Sequence, residues 1–97
     1  MAISTEGAAW YHKLIDCANE NGIDIFMNMY HFDMPEYLVK RGGWQNREVV
    51  EAYANFVKKA MEEFGGKVKY WFTFNEPIVE PEQQFLLGTW YPYLHDF

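Results

Sequence analysis

Apolar residues recur at helical spacing in two stretches of this chain and crowd into two short runs that follow them. In the first stretch Ala8, Tyr11, Leu14, Ile15 and Ala18 share one stripe, Ser4 or Thr5 can cap the first turn, and Gly22 supplies a left-handed stop. The spacing predicts a helix running to Asn21. In the second, Val50, Tyr53, Val57, Ala60, Met61 and Phe64 mark one face, with Asn46 as N-cap, Glu48 in the positive first turn and Gly65-Gly66 at the end. Between them, residues 23–30 are short and apolar on both parities, as a strand buried on both faces should be, with Ile23, Ile25, Met27 and Met29 sharing one face. Residues 68–74 are β-branched and aromatic, and Pro77 keeps them from extending far as a ladder-bonded strand. Residues 31–45 hold Pro35, Gly42 and Gly43 without a clean period and read as a long, partly helical loop. From Pro77 onward three prolines and Gly88 punctuate an aromatic-rich stretch in which no element is predicted.

The order helix, strand, loop, helix, strand is alternating βα, so the two strands should be parallel. Two parallel strands with unpaired outer edges make a poor independent domain. The pattern therefore reads as a slice of a larger α/β fold, either a βα barrel or an open wound sheet. Length agrees: 97 residues allow one small domain at most. Being 49% hydrophobic and 20% aromatic, the chain is too apolar for a disordered tail. A net charge of -6 has the wrong sign for neutralising phosphates, which argues against a nucleic-acid partner. Cys17 stands alone, so a disulfide-stapled secreted protein is not expected and a reducing cytoplasm is. Neither a signal peptide nor a membrane span is expected.

Ligands of parallel α/β folds bind at the carboxyl ends of the strands. Here those ends carry His31 with Asp33, and Asn75 with Glu76. Neighbouring strands lie about 5 Å apart, so His31, Asn75 and Glu76 should border one pocket. Strict alternation would send Asn75 and Glu76 to opposite faces, so the strand must bulge or end there. Pro77 disfavours helical backbone angles at Glu76 and should hold its carboxyl extended at the strand tip. Beside Phe74 and under other aromatics that carboxyl would be partly desolvated, the state that keeps an acid protonated.

Three motifs in order carry a family resemblance. Thr73-Phe74-Asn75-Glu76-Pro77, ending an apolar strand, resembles the acid/base strand of the family 1 glycoside hydrolases. Tyr30-His31-Phe32-Asp33-Met34-Pro35 is similar to the end of that family's third strand, usually Y-H-W-D-L-P, and Gly42-Gly43-Trp44-Gln45-Asn46-Arg47-Glu48 resembles its G-G-W-x-N-R-E. The resemblance implies that residues 1–97 are a single incomplete domain, a fragment of a TIM (β/α)8 barrel from about strand 3 to strand 4 with flanking helices and loops. It also implies a retaining β-glycosidase. Glu76 would be the acid/base, Asn75 would bind the sugar 2-hydroxyl, His31 another sugar hydroxyl, and Phe32 would replace the usual tryptophan as an apolar wall. Phe32 and Met34 resemble the branch acting on 6-phosphorylated β-glycosides. No second glutamate in such a context occurs, so the nucleophile would lie outside this chain and the fragment alone should hydrolyse nothing; Asp33 would be a structural residue.

The resemblance implies no cofactor and no metal, and a small β-glycoside, free or 6-phosphorylated, as ligand. His31, Asp33 and Glu36 lack a fourth ligand or second histidine. Gly42-Gly43 has no following Lys-Ser/Thr, so a P-loop is not supported. Cys17 reads as a buried small hydrophobe, and His12 and His95 as surface or partner-contacting residues. Trp90-Tyr91-Pro92-Tyr93 is open to two readings, an aglycone platform or core packing. Two rivals stand beside the main reading: another barrel glycoside hydrolase, and an inert fragment that forms homo-oligomers through unpaired sheet edges.

Overall fold

Ser4 opens the first helix as expected: its hydroxyl accepts the Gly7 N–H at 3.1 Å, and α1 runs Thr5–Glu20 before Gly22 turns the chain at φ 69°. These come from a computed structural model, which describes residues 4–95. Residues 1–3, on which the reading of the N-terminal sequence partly rests, lie outside them. Strand β1 (Phe26–Asn28) follows, then α2 (Glu36–Lys40), a 3-10 turn (Gly43–Gln45), α3 (Arg47–Phe64) and β2 (Tyr70–Phe72). Asn46 caps α3 by accepting the Glu48 N–H at 3.0 Å.

The two strands are adjacent and parallel, with Phe26 opposite Tyr70, Met27 opposite Trp71 and Asn28 opposite Phe72. Both are shorter than the apolar runs that predicted them. Val68, for example, leaves the ladder to enter the core. Pairing resumes beyond the ladder, since Met29 N–H donates to the Phe72 carbonyl and Asn75 N–H to the Tyr30 carbonyl, both at 2.9 Å.

Helices α1 and α3 cover one face of the pair. Ile15, Ala60, Phe64 and Val68 form the centre, with Ala8, Ile25, Met27, Met29 and Trp71 packed against it. His12 Nε2 lies 2.7 Å from Glu63 Oε1 and Lys67 Nζ 2.9 Å from Asp16 Oδ1, tying α1 to α3 and its following turn. His12 is therefore a half-buried residue between the two helices. Cys17 is exposed, contrary to the buried reading, because it projects away from the Ile15 stripe. Tyr11, Leu14, Val50 and Met61 of the predicted helix faces are exposed as well, and Val49 takes the buried place beside Val50.

Burial on both faces of the strands is not observed. Phe26, Tyr70 and Phe72 form an exposed aromatic strip, Ile23 is exposed too, and no described element lies over the strip. Residues 79–86, where no element was predicted, are helical: α4 (Val79–Pro81) continues into a π-helical turn (Glu82–Leu86), in which Leu87 N–H reaches back to the Glu82 carbonyl at 2.8 Å. Pro81 has no N–H to give, and the wider turn begins immediately after it. No helix among the described residues is long and apolar enough to cross a membrane.

Candidate active site

Beyond the paired residues both strands bend, β1 at Met29 and β2 at Thr73. These bends break the alternation that would have sent Asn75 and Glu76 apart, and both line one open cavity of about 180 Å³ with Tyr30, Trp44, Phe74, Pro77, Glu80 and Pro81. His31 does not line it. The histidine is exposed, its ring edge-on to Phe32 at 5.1 Å, and the expected common border of His31, Asn75 and Glu76 is met only by the last two.

Glu76 is exposed and its backbone is not extended: φ is 38°, in the left-handed region. Pro77 disfavours the right-handed helical region for the preceding residue, as expected, but Glu76 must also begin a tight turn closed by Val79 N–H on its carbonyl at 3.0 Å. The positive φ meets both demands, at a cost of about 1–3 kcal/mol typical of strained non-glycine backbone. The desolvation expected of Glu76 is absent among the described residues, because Phe74 turns instead toward α3, where it stacks on Tyr53 at 4.7 Å.

The buried acid is Glu80, which the sequence reading passed over. It is 2% exposed and accepts three hydrogen bonds: the Tyr30 hydroxyl at 2.5 Å and the Gln84 amide at 2.9 Å on Oε1, and the Trp44 indole at 3.2 Å on Oε2. Trp44 gets there through two consecutive left-handed glycines, Gly42 at φ 108° and Gly43 at φ 54°, which reverse the chain after α2. Tyr30, Trp44, Tyr53 and Phe74 pack edge-on and stacked into a box beneath the cavity, and the Tyr53 hydroxyl donates to the Thr73 carbonyl at 2.7 Å. Burial, then the hydrogen bond to Glu80 and its charge, holds the Tyr30 phenol far above its ordinary range; burial alone raises that of Tyr53. Two signals for Glu80 were present in the sequence. Pro77 suits the first turn of a helix, and Glu80 falls one turn after Glu76.

Phe32 sits at φ 72° with its ring edge against Trp90 at 5.2 Å, forming an apolar wall with it. Tyr91 and Tyr93 are exposed among the described residues. Among the described residues no three His, Cys, Asp or Glu side chains gather as a metal site.

A parallel βα pair with an Asn-Glu tip over an open cavity defines a segment of a parallel α/β fold, in which ligands bind at the carboxyl ends of the strands. Comparison with known proteins makes this specific. The profile of glycosyl hydrolase family 1 matches residues 1–96. The 6-phospho-beta-glucosidase GmuD of Bacillus subtilis (strain 168) is 48% identical over 95 residues, covering 98% of this chain and 20% of that protein. Beta-glucosidase A of Thermotoga maritima is 37% identical over 94 residues, covering 97% and 21%. The solved structure of a Thermotoga maritima beta-glucosidase in complex with deoxynojirimycin superposes with a TM-score of 0.95 at 36% identity, covering 99% of this chain and 22% of that one. The chain belongs to glycosyl hydrolase family 1, as its three motifs implied, and it is an α/β piece of that family's TIM barrel. It spans about a fifth of the length of these two relatives. Family membership decides against a different barrel family.

Proposed function

We propose that this chain is the part of a retaining β-glycosidase that holds the third and fourth barrel strands and supplies the acid/base, Glu76, with a 6-phosphorylated β-glucoside as substrate. The observation that carries the reading is the Asn75-Glu76 pair at the tip of β2, opening on a cavity at the carboxyl end of the parallel strands. The 48% identity to a 6-phospho-beta-glucosidase supports the phosphate. Retaining hydrolysis uses two carboxyl groups about 5–5.5 Å apart, one nucleophile and one acid/base. Glu76 gives its proton to the leaving glycosidic oxygen, then takes one from the water that hydrolyses the glycosyl-enzyme. The nucleophile comes from outside residues 1–97, so these residues alone turn over nothing. Asn75 donates to the sugar 2-hydroxyl, a contact that strengthens as positive charge develops on the ring. His31 binds a further hydroxyl and Phe32 closes the apolar side. The reaction needs no cofactor or metal, and a phosphorylated sugar suits a cytoplasmic enzyme.

The test is an activity comparison in the complete enzyme on β-glucosides with and without the 6-phosphate, beside Glu76→Gln. The variant should lose about 10²–10⁴-fold, the range for removing a general acid/base. Wild-type rates in Glu76→Gln would overturn the assignment. Preference for the unphosphorylated sugar would overturn only the phosphate.

A further inference from the structure

One residue holds the chain on both sides of Glu76. The Tyr30 carbonyl accepts the N–H of Asn75, immediately before Glu76, at 2.9 Å, and the Tyr30 hydroxyl donates to the Glu80 carboxylate, one turn after it, at 2.5 Å. Glu76 itself has a left-handed backbone that no glycine relieves, and its side chain makes no hydrogen bond or ion pair among the described residues. A strained residue with a free side chain keeps one position only if its flanks are held. Here one flank is held by the Tyr30 carbonyl and the other by a buried carboxylate that also accepts from Trp44 and Gln84, so the anchor ties its own helical stretch to the segments of Tyr30 and Trp44. Burying an acid costs stability unless its oxygens are paired, and both oxygens of Glu80 are.

We infer that Glu80 and Tyr30 form a bracket that positions Glu76: they touch no reacting atom, and they set where the Glu76 carboxyl stands over the cavity. The inference rests on reading Glu76 as the proton donor. Displacement of a reacting group by about 1 Å can cost on the order of 100-fold, so a bracket of this kind acts on rate without touching the ligand. Its signature differs from that of a residue that merely stabilises the fold. Loss of folded enzyme lowers every substrate alike, whereas a misplaced proton donor penalises only leaving groups that need the proton.

The experiment measures kcat/KM of the complete enzyme on a dinitrophenyl and a methyl β-glucoside, in whichever of the free and 6-phosphorylated forms it turns over faster. Tyr30→Phe and Glu80→Gln are compared with Glu76→Gln. The dinitrophenolate leaves unprotonated and the methoxide does not. The inference predicts that both bracket variants lose about ten-fold or more on the methyl glycoside and less than about two-fold on the dinitrophenyl one. Tyr30→Phe deletes one oxygen and keeps the ring packing, so the result is read from it if Glu80→Gln does not fold. If Glu76→Gln is selective between the substrates and the bracket variants are not, the bracket is overturned. If Glu76→Gln lowers both alike, the proton-donor reading falls and the bracket falls with it.

Discussion

The isolated 97-residue chain should self-associate, and replacing Phe26 and Phe72 together by glutamate should keep it monomeric. The expectation follows from shape. A globular chain of this size should have a radius of gyration of about 12.5 Å and an accessible surface of about 5,800 Å². The observed values are 15.5 Å and 6977 Å². The excess, about 1,100 Å², exceeds the share of about 800 Å² that each partner contributes to a standard interface. The uncovered sheet contributes to it, with Phe26 58%, Phe72 52% and Tyr70 40% exposed.

With about 200 Å² per phenylalanine, covering Phe26 and Phe72 removes roughly 220 Å² from water, worth about 5 kcal/mol at ~25 cal/mol/Å². Part of that is lost to the entropy of association, so the double substitution should weaken self-association by at least about 100-fold. Sedimentation over a micromolar concentration series reads this directly, with circular dichroism confirming that the helices persist. The unmodified chain should rise above its 11.6 kDa monomer mass with concentration. A constant monomer mass, or a double variant that associates as strongly, would refute the argument that the bare strip drives association.

Two further outcomes test the packing. Ile15→Ala removes a side chain with no exposure from the centre of the α1–α3 core and should destabilise by about 2–5 kcal/mol, read as a lower denaturant midpoint with unchanged slope. The Tyr30 phenol, raised by burial and then by Glu80, should ionise above the ordinary tyrosine range in an ultraviolet titration. Because its folded pKa lies above the unfolded value of about 10, its contribution to stability is complete below that pH and is lost as pH rises above it; Glu80→Gln should make the loss shallower.

Local pattern was enough for the long elements and not for the short ones. α3 was legible because its Asn46 cap and the glycines at its end are properties of the segment itself, and α1 for the same reason. The parallel pairing followed from element order. Strand lengths and burial did not, because they depend on what lies across the sheet. Runs apolar on both faces are written for a sheet covered twice, and the described residues cover it once. The helical segment 79–86 was illegible because two prolines and a glycine mask a short helix that owes its place to Glu80, a contact made with residues 36 and 50 positions away.

The site shows the same division with a more instructive outcome. Neighbours along the chain suggest that Phe74 desolvates Glu76, and the proline-punctuated stretch after it predicts no element. The structure reverses the environments: Glu76 is exposed at the cavity, and Glu80, four residues on, is the acid enclosed by aromatics. On the role proposed for Glu76, the reversal has a physical reason. A carboxyl that exchanges protons with a ligand must face the space the ligand enters, so the desolvation that tunes it has to come from whatever fills that space. A carboxyl that holds a strained turn needs the opposite surroundings, since its hydrogen bonds to Tyr30 and Trp44 are stronger away from competing water. A single local motif could not reveal this. Tyr30, Trp44 and the Asn-Glu tip each announce themselves in sequence, whereas the residue that joins them, marked only by its place one turn after Glu76, meets its partners when the strands and loops come together.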